Sequence, residues 1–486
     1  MRSRARLRLA LCLVAGTTGC TADGTVKVTN AHVTAATTTT TATTAAPSAI
    51  SPVTVAPTAT PGTIAMADAA SSFSGLAYDQ IVPLAQKAIE AFWSKELPAQ
   101  YGIKYKTLKG GVHGLKPGES GPGCRTSATT YDEVADNAFY CPDGDFLVYD
   151  DARLFPQLDN KFGPFVVAMV IAHEWGHAIQ IRAGLDPTTS IAPMNIENQA
   201  DCFAGAWTRW VVVGGQPGLH VGQRDIDSSL SGLLFFRDAL GVTSAQPGAH
   251  GSGFDRVSAF QDGYANGVPK CATYLTNPPQ ARDLPFGPND VVTGGNAPYD
   301  QLLSFMPQAL DGFWATEFAA RKATFAKLAG HLRMVNPTTD TLTCGGQPVD
   351  RSLLAGTDYY CSTDDYLAFD EPTLLRAPYQ KIGDFATAVV LAEGWARTAL
   401  ARLGSPLTGA ERDRAVDCAA GAFTGAVYQH TAKDASGQAI SLSPGDLDEA
   451  ISEFIGDGRA VPGSAFTRVA TFRTGFSQGV SACGIG

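Results

Sequence analysis

The sequence predicts an α+β fold that occurs twice in tandem, as two mainly helical domains. A strand pattern around a cysteine, FYCPDGDFLVYDD (139–151), precedes long apolar stretches of helical length. The same order of motifs returns after about 200 residues, which is the size of a domain rather than of a solenoid module. With 486 residues, of which 44% are hydrophobic, the chain can bury two such cores.

Residues 1–20 predict export. They read MRSRARLRLALCLVAGTTGC, with arginines, a short apolar core and small residues before Cys20. This pattern is typical of a secretory signal, and its core is too short to span a bilayer. Small residues directly before a cysteine also resemble a bacterial lipoprotein processing site, at which Cys20 would carry the lipid. An ordinary cleaved signal peptide is the alternative.

Residues 21–69 form a predicted tether. They are dominated by Thr, Ala and Pro, as in TAATTTTTATTAAPSAISPV. Such a segment has too few large apolar residues to offset the entropy of ordering. With a lipid on Cys20, the tether would hold the folded part at the outer face of a membrane in the cell envelope. The formal net charge of −10 argues against a nucleic-acid partner, which needs clustered Lys and Arg.

The first predicted domain covers residues 70–271. An opening helix includes YDQIVPLAQKAIEAFW (78–93), and the strand pattern follows it. A strongly apolar helix is predicted at about 164–183 and another at about 195–212. A last helix leads to Cys271.

The second predicted domain covers residues 298–486, after a linker at 272–297 that is rich in Pro, Gly and Asn. Its motifs match those of the first domain in order. YDQLLSFMPQALDGFW (299–314), VDCAAGAF (416–423) and GSAFTRVATFRTGFSQGVSAC (463–483) correspond to residues 78–93, 200–207 and 251–271. The chain therefore looks like an internal duplication.

The cysteines follow the same duplication. Eight lie outside the leader region: Cys124, Cys141, Cys202, Cys271, Cys344, Cys361, Cys418 and Cys483. An even number in an exported chain indicates disulfides. Each domain holds four, so we expect pairing within domains, as Cys124–Cys141, Cys202–Cys271, Cys344–Cys361 and Cys418–Cys483. The sequence alone leaves other connectivities open.

A candidate metal site lies in the first apolar helix. His173 and His177 are four residues apart, so both imidazoles project from one helical face towards one point. Zn²⁺ suits this pair, and a catalytic site needs one more protein ligand and an open water position. Glu174 lies between the histidines, where it can accept a proton from that water.

The third ligand must come from another segment. In NIENQADCFAG, Glu197 and Asp201 are four residues apart on one helical face. Glu197 is the candidate ligand, and a solvated carboxylate near a helix start is the alternative. Asp201 could orient a metal-bound imidazole, as partners of ligating histidines commonly do.

These motifs resemble the bacterial family of neutral zinc metallopeptidases. The resemblance rests on HEWGH, ENQADCFAG, the HGSxxxRV and GYxxG patterns and the preceding FYCPDGDFLVYDD, and it covers most of residues 70–271. It implies a zincin-like fold and peptide-bond hydrolysis, with Glu197 as the third ligand, as in thermolysin-like enzymes. Ala178 is a departure, because members of the family often have a further histidine there.

The second domain serves as an internal control. Its matching helix, VVLAEGWARTALARLG (389–404), has Glu393 and Arg397 where the first domain has the two histidines, and Gly394 at the place of Glu174. An arginine would repel a cation. We therefore expect one zinc per chain and a degenerate second domain that does not catalyse.

The control also bears on two further residues. Asp417 persists without ligands to orient, so Asp201 is equally well interpreted as structural. His250 is replaced by Pro462 and so disappears together with the ligands. Zincins stabilise the oxyanion of the tetrahedral intermediate with a donor, and His250 is a hypothesis for that role. A loop histidine without a role is the alternative.

The sequence thus predicts an exported zinc peptidase that acts on peptides or proteins and is anchored to a membrane by an N-terminal lipid. Two other classes stay open. One is a non-enzymatic binding protein of the cell envelope with a structural zinc. The other is a zinc amidase with a non-peptide envelope substrate. A fourth protein ligand would favour the structural zinc, and an open water position would favour an enzyme.

Overall fold

Small sheets and long helices follow one another in the same order in both halves of the chain, so the fold is mixed α+β, as predicted. A computed structural model describes residues 71–124, 127–186, 191–288, 290–456 and 464–485. We call residues 71–272 the first half and residues 290–485 the second half. The predicted signal segment, Cys20 and the whole of the predicted tether lie outside the described residues.

The first half contains seven helices and five strands among its described residues. The helices are α1 (Tyr78–Tyr101), α2 (Tyr131–Val134), α3 (Leu154–Phe162), α4 (Pro164–Arg182), α5 (Pro193–Val212), α6 (Gln223–Phe235) and α7 (Gly253–Ala272). The strands are β1 (Gly111–Leu115), β2 (Ser120–Cys124), β3 (Ser127–Thr130), β4 (Ala138–Cys141) and β5 (Phe146–Asp150).

The second half, as far as it is described, has a similar series, with an extra short helix at its start and with its first three strands shorter. Its helices are α8 (Asp290–Thr293), α9 (Tyr299–Ala320), α10 (Ala377–Lys381), α11 (Asp384–Arg402), α12 (Gly409–Tyr428), α13 (Asp446–Ile455) and α14 (Ala465–Gln478). Its strands are β6 (Leu332–Val335), β7 (Thr343–Cys344), β8 (Gln347–Pro348), β9 (Asp358–Cys361) and β10 (Tyr366–Asp370). Cys483 follows α14 in a short 3₁₀ turn (Val480–Cys483), whereas Cys271 is inside α7.

Each half has one three-stranded sheet with the same strand order. In the first half the order is β1-β5-β4, with β1 parallel to β5 and β4 antiparallel to β5. In the second half the order is β6-β10-β9, with the same directions. The predicted strand pattern at 139–151 is therefore a hairpin of β4 and β5. The parallel strand beside it carries no clear alternation of polar and apolar residues, and the sequence did not reveal it.

Helix α4 is almost entirely buried, as its apolar sequence predicted. Gly163, with a positive φ of 93°, turns the chain directly before it, and Pro164 opens the helix, where its missing N–H costs nothing. Gly184, with a φ of 98°, follows its end, as is common after helix C-termini. Helix α11 is as long as α4, is also largely buried, and Gly404 follows it with a φ of 63°.

Two glycines allow α5 and α7 to approach each other closely. A Cβ on Gly205 would collide with the carbonyl of Phe260, and a Cβ on Gly263 with that of Cys202. Gly421 and Gly475 likewise allow α12 and α14 to approach each other closely. Cys202–Cys271 also ties α5 to α7, and Cys418–Cys483 ties α12 to the 3₁₀ turn after α14. The four disulfides present are Cys124–Cys141, Cys202–Cys271, Cys344–Cys361 and Cys418–Cys483, the pairs expected from the sequence.

The two halves belong to one compact unit and pack through α6 and α7 on one side and α13 and α14 on the other. The ring centroids of Phe254 and Phe476 lie 5.1 Å apart. The Gln261 side chain donates to the carbonyl of Phe466 (2.9 Å), and Arg473 donates to Asp262 (3.0 Å). None of the described helices is long and apolar enough to cross a membrane.

Candidate metal centre

Three predicted ligands meet between α4 and α5. His173 and His177 lie one turn apart on α4, and Glu197 lies in the first half of α5, which packs against it. His173 Nε2 is 3.2 Å from Glu197 Oε2, and His177 Nε2 is 3.6 Å from Glu197 Oε1. The ligand atoms all lie within 4.8 Å of one another.

The other nitrogen of each imidazole is already engaged. His173 Nδ1 is 2.7 Å from Asp201 Oδ1, and His177 Nδ1 is 2.9 Å from Gln180 Oε1. Because a carboxylate or amide oxygen can only accept, each Nδ1 carries the proton, and each Nε2 has its lone pair available for a metal. Gln180 is held in turn by donating to the carbonyl of Ile196.

These residues fit zinc. Zinc holds nitrogen and oxygen ligands at about 2.0–2.2 Å in a tetrahedron, which places neighbouring ligand atoms about 3.3 Å apart. The two separations across this site, 3.2 and 3.6 Å, bracket that spacing. Glu197 Oε2 is also buried without a hydrogen-bond partner among the described residues. Burying such an oxygen is costly, and a metal ion would satisfy it.

The charges of the ligands are matched to one another. Burial alone would raise the pKa of Glu197, but the facing His177 and His173 imidazoles hold it well below its usual range. Burial disfavours a proton on His173, but the carboxylates of Asp201 and Glu197 outweigh it and raise the pKa of His173 to about 10. Without a metal the site therefore holds protons, and metal binding must release them.

Glu174 lies beside this triad and is not part of it. Its side chain is buried, with 6% of its surface exposed, and burial raises the pKa of its carboxyl although the His173 and His177 imidazoles oppose this. A carboxylate with a raised pKa at a metal site is suited to accept a proton near neutral pH.

His250 approaches the site from the loop before α7. Its Nδ1 lies 3.2 Å from Asp238 Oδ1, and its backbone N–H donates to Asp238 Oδ2 (2.7 Å). Its Nε2 is buried without a hydrogen-bond partner among the described residues. The imidazole is close enough to act electrostatically on the carboxylates of Glu174 and Glu197. Asp238 thus fixes the orientation of the His250 imidazole and leaves its Nε2 available. Pro462, its predicted counterpart, lies outside the described residues.

Asp201 has two partners, one relevant to each of its two interpretations. It contacts the His173 imidazole, and it also accepts two hydrogen bonds from the Arg256 guanidinium (2.8 and 2.9 Å). Asp201 is fully buried, so Arg256 supplies the charge that such a site requires.

Sequence reasoning missed three supporting residues. Arg256 carried a signal, because RV recurs as Arg468-Val469 in the second half. Gln180 comes three residues after His177, on the same helical face, and helical spacing alone could have suggested it. No sequence pattern pointed to Asp238, since it contacts His250 across a loop.

Fold and site together define a protein with one candidate zinc centre of the HExxH type. Residues 123–274 match the model of a family described as "Putative neutral zinc metallopeptidase". This match covers the strands β4 and β5, the helices α4 to α7 and every residue of the centre.

Curated relatives exist, and they carry no assigned activity. An uncharacterized protein of Mycobacterium tuberculosis is 28% identical over 211 residues, which cover 38% of this chain and 67% of the relative. The uncharacterized protein YpfJ of Escherichia coli is 30% identical over 158 residues, covering 28% of this chain and 53% of the relative. No solved structure matches significantly.

Proposed function

We propose that the chain is an exported zinc-dependent peptidase whose single active site lies in the first half. The observation that carries this proposal is the meeting of His173, His177 and Glu197 at zinc-ligand spacing, with Glu174 beside them. The family match over residues 123–274 supports the same reaction class.

The centre supports catalysis better than a structural zinc. Structural zinc sites are closed by four protein ligands, whereas catalytic sites keep one position open. Among the described residues, the group of potential ligands contains His173, His177 and Glu197 and no fourth member. A coordination position is therefore left for water or substrate.

Glu174 is the proposed general base. When bound, zinc supplies Lewis acidity, which lowers the pKa of a water and polarises a carbonyl. The Glu174 carboxylate accepts a proton from the attacking water and then delivers it to the leaving amine. Its burial strengthens both transfers, because bulk water does not compete for the carboxylate.

His250 is the proposed donor to the substrate carbonyl oxygen. Its Nε2 has no hydrogen-bond partner in the described part of the chain, and Asp238 accepts from Nδ1. If the imidazole is protonated, Nε2 can donate to the oxygen as negative charge develops on it.

We further propose that the second half is a degenerate copy of the first. Equal strand order, helices of matching position and the paired disulfides support a duplication. Glu393, Gly394 and Arg397 stand where the ligands and base stand in the first half, which supports a role other than catalysis.

Localisation in the cell envelope is part of the proposal. It rests on the sequence of residues 1–20, on Cys20 as a lipidation site and on the Thr, Ala and Pro content of the tether. Mass spectrometry of the membrane fraction tests it: an N-terminal lipid on Cys20 is expected, and a mature chain without lipid would leave only the secretory signal.

The central experiment couples metal analysis to a peptide-library assay on the full chain. Native protein should hold about one zinc per chain and cleave peptides. Glu174→Gln should keep the zinc and lose the cleavage, while Glu411→Gln, at an exposed carboxylate of α12, should change neither. Zinc-loaded native protein that cleaves no peptide would refute the peptidase and turn attention to amide substrates of the envelope.

A further inference from the structure

A second group of potential metal ligands lies in the second half, away from the zinc centre. It consists of Asp384, the first residue of α11, and of Asp446 and Glu449 in the first turn of α13. One oxygen of each lies within 4.8 Å of the others. All three residues are buried, with 6%, 4% and 8% of their surfaces exposed.

No cationic side chain in the described part of the chain balances these carboxylates. Among the described residues, no Lys, Arg or His forms an ion pair with Asp384, Asp446 or Glu449. The guanidinium of Arg237 is nearby, but it pairs with Asp448 at 3.2 Å. Buried carboxylates without a counter-ion are expensive, so such a group normally takes up protons or a metal ion.

Backbone N–H groups orient each carboxylate through one oxygen only. Asp384 Oδ2 accepts from Ala297 N–H (2.8 Å), Asp446 Oδ2 from Ser443 N–H (2.8 Å) and Glu449 Oε2 from Phe385 N–H (2.9 Å). The second oxygens of Asp384 and Asp446, both Oδ1, are buried and have no partner among the described residues. A cation bound between the three carboxylates would satisfy these buried oxygens.

The backbone makes room for the group. A Cβ on Gly383 would collide with the carboxyl carbon and oxygens of Glu449. Glycine at this position therefore allows Glu449 to reach the start of α11 and lie against Asp384.

The first half lacks this group. Helix α4 begins with Pro164 where α11 begins with Asp384. In the segment that matches Asp446-Leu447-Asp448-Glu449, the first half reads Asp225-Ile226-Asp227-Ser228. Two of the three carboxylates are thus specific to the second half, so the group is not part of the scaffold that both halves share.

We propose that Asp384, Asp446 and Glu449 bind one calcium ion. Three carboxylates without any nitrogen or sulfur donor select a hard cation over zinc. Calcium tolerates irregular oxygen geometry and fills its remaining positions with water or carbonyl oxygens. Magnesium demands a near-ideal octahedron, and three protein carboxylates crowded on one side fit it less well.

The position of the site links it to the interface between the halves. Helix α13 also carries Asp448, which accepts from Phe254 N–H (2.8 Å) and pairs with Arg237. Arg237 and Phe254 lie on either side of the Asp238–His250 pair in the sequence. Calcium at the start of α13 would therefore fix the helix that supports this loop of the first half.

The test is direct calcium binding to the full chain with its zinc retained. Equilibrium dialysis in CaCl₂ up to about 5 mM, above the range of weak protein calcium sites, should give one calcium per chain. MgCl₂ should compete poorly, and the zinc content should stay the same. Asp384→Asn and Glu449→Gln should each weaken calcium binding at least about tenfold. Asp413→Asn, at an exposed carboxylate of α12, should leave it unchanged.

Three results would overturn the proposal. The first is folded native protein that binds no calcium in this range, in which case the carboxyls share protons instead. The second is calcium binding that Asp384→Asn and Glu449→Gln leave unchanged. The third is a second zinc ion held by this group. Native protein gives the first and third answers, so neither depends on the folding of a variant.

Discussion

The same buried helix pair has opposite electrostatics in the two halves. Between α4 and α5, two imidazoles face a carboxylate whose Oε2 has no hydrogen bond. Between α11 and α12, the Arg468 guanidinium bridges Glu393 (2.8 Å) and Asp417 (2.9 Å). Arg397 adds a second cation, which contacts Glu393 at 3.2 Å and also Asp358. The first site would be completed by a metal ion, whereas the second is completed by its own side chains.

The difference shows which parts are scaffold. An arginine on the last long helix pairs with an aspartate in both halves, as Arg256–Asp201 and Arg468–Asp417. In the first half this aspartate also holds His173, whereas in the second half the same arginine reaches Glu393. The arginine–aspartate pair persists without a metal, so its first role is structural. In the first half the same aspartate would also orient the His173 imidazole towards a metal.

Removing a zinc ligand should have the largest effect, and the matched change in the second half should not reproduce it. His177→Ala removes one of three zinc ligands, so we expect zinc content and peptide cleavage to fall to background. Arg397→Ala, the matched change in the second half, should leave both intact while lowering thermal stability. Zinc analysis and cleavage rates on both proteins measure this. Loss of zinc in Arg397→Ala would mean that the second half contributes to the metal site.

Replacing the proposed oxyanion donor comes next. His250→Ala should lower kcat by about 10²–10³-fold, because one donor to the developing charge is lost, while zinc is retained. His220→Ala, at an exposed histidine of the same half, is the control and should be silent. An unchanged kcat in His250→Ala would leave His250 without a catalytic role.

Replacing the two matched aspartates should then distinguish an effect on stability from an effect on metal affinity. Asp201→Asn and Asp417→Asn each break a buried arginine pair, so both should lower the free energy of unfolding by about 3–5 kcal/mol. Only Asp201→Asn should also weaken zinc binding, by roughly 10–100-fold, because only Asp201 holds a ligand imidazole. Chemical denaturation and competition with a zinc chelator give the two readouts. Equal zinc affinities would reduce Asp201 to scaffold.

The smallest expected effect concerns pH and the acidic group of the second half. Burial, together with neighbouring carboxylates, raises the pKa of Glu449 to about 8, and burial raises that of Asp384 to about 6. Asp448 also opposes ionisation of Glu449, whereas the Phe385 N–H and the Arg237 guanidinium favour it. The folded chain therefore binds protons that the unfolded chain releases. The stability this contributes is present in full below about pH 4 and is lost as pH rises through 6 and 8.

Thermal unfolding in calcium-free buffer measures this pH effect. Glu449→Gln keeps an acceptor for Phe385 N–H and has no proton to lose. We therefore expect the Tm of Glu449→Gln minus that of the native chain to rise by a few °C between pH 6 and pH 9. This corresponds to a relative stabilisation on the order of 1–2 kcal/mol. Added calcium should remove the gain. A Tm difference independent of pH would show that Glu449 is not titrating there.

Much of the fold was predictable from local pattern. The apolar run at 164–183 and the strand signal at 139–151 appear as α4 and as the β4–β5 hairpin. Burial of one helix and alternation in a hairpin are properties of contiguous residues, so they are written in the sequence. Strand β1 and helices α6 and α13 lacked such signals, because their partners lie far away along the chain.

The sequence by itself determined the residue types and spacing of the candidate metal centre. The spacing of His173, Glu174 and His177 defines a zinc motif, since helical geometry alone places residues four apart on one face. The repeated motifs defined which residues the second half had replaced. Tertiary structure decided the partners. It placed Asp238 against His250, Arg256 against Asp201, and three carboxylates of the second half around one point. Such contacts join residues that only packing brings together, and no local pattern encodes them.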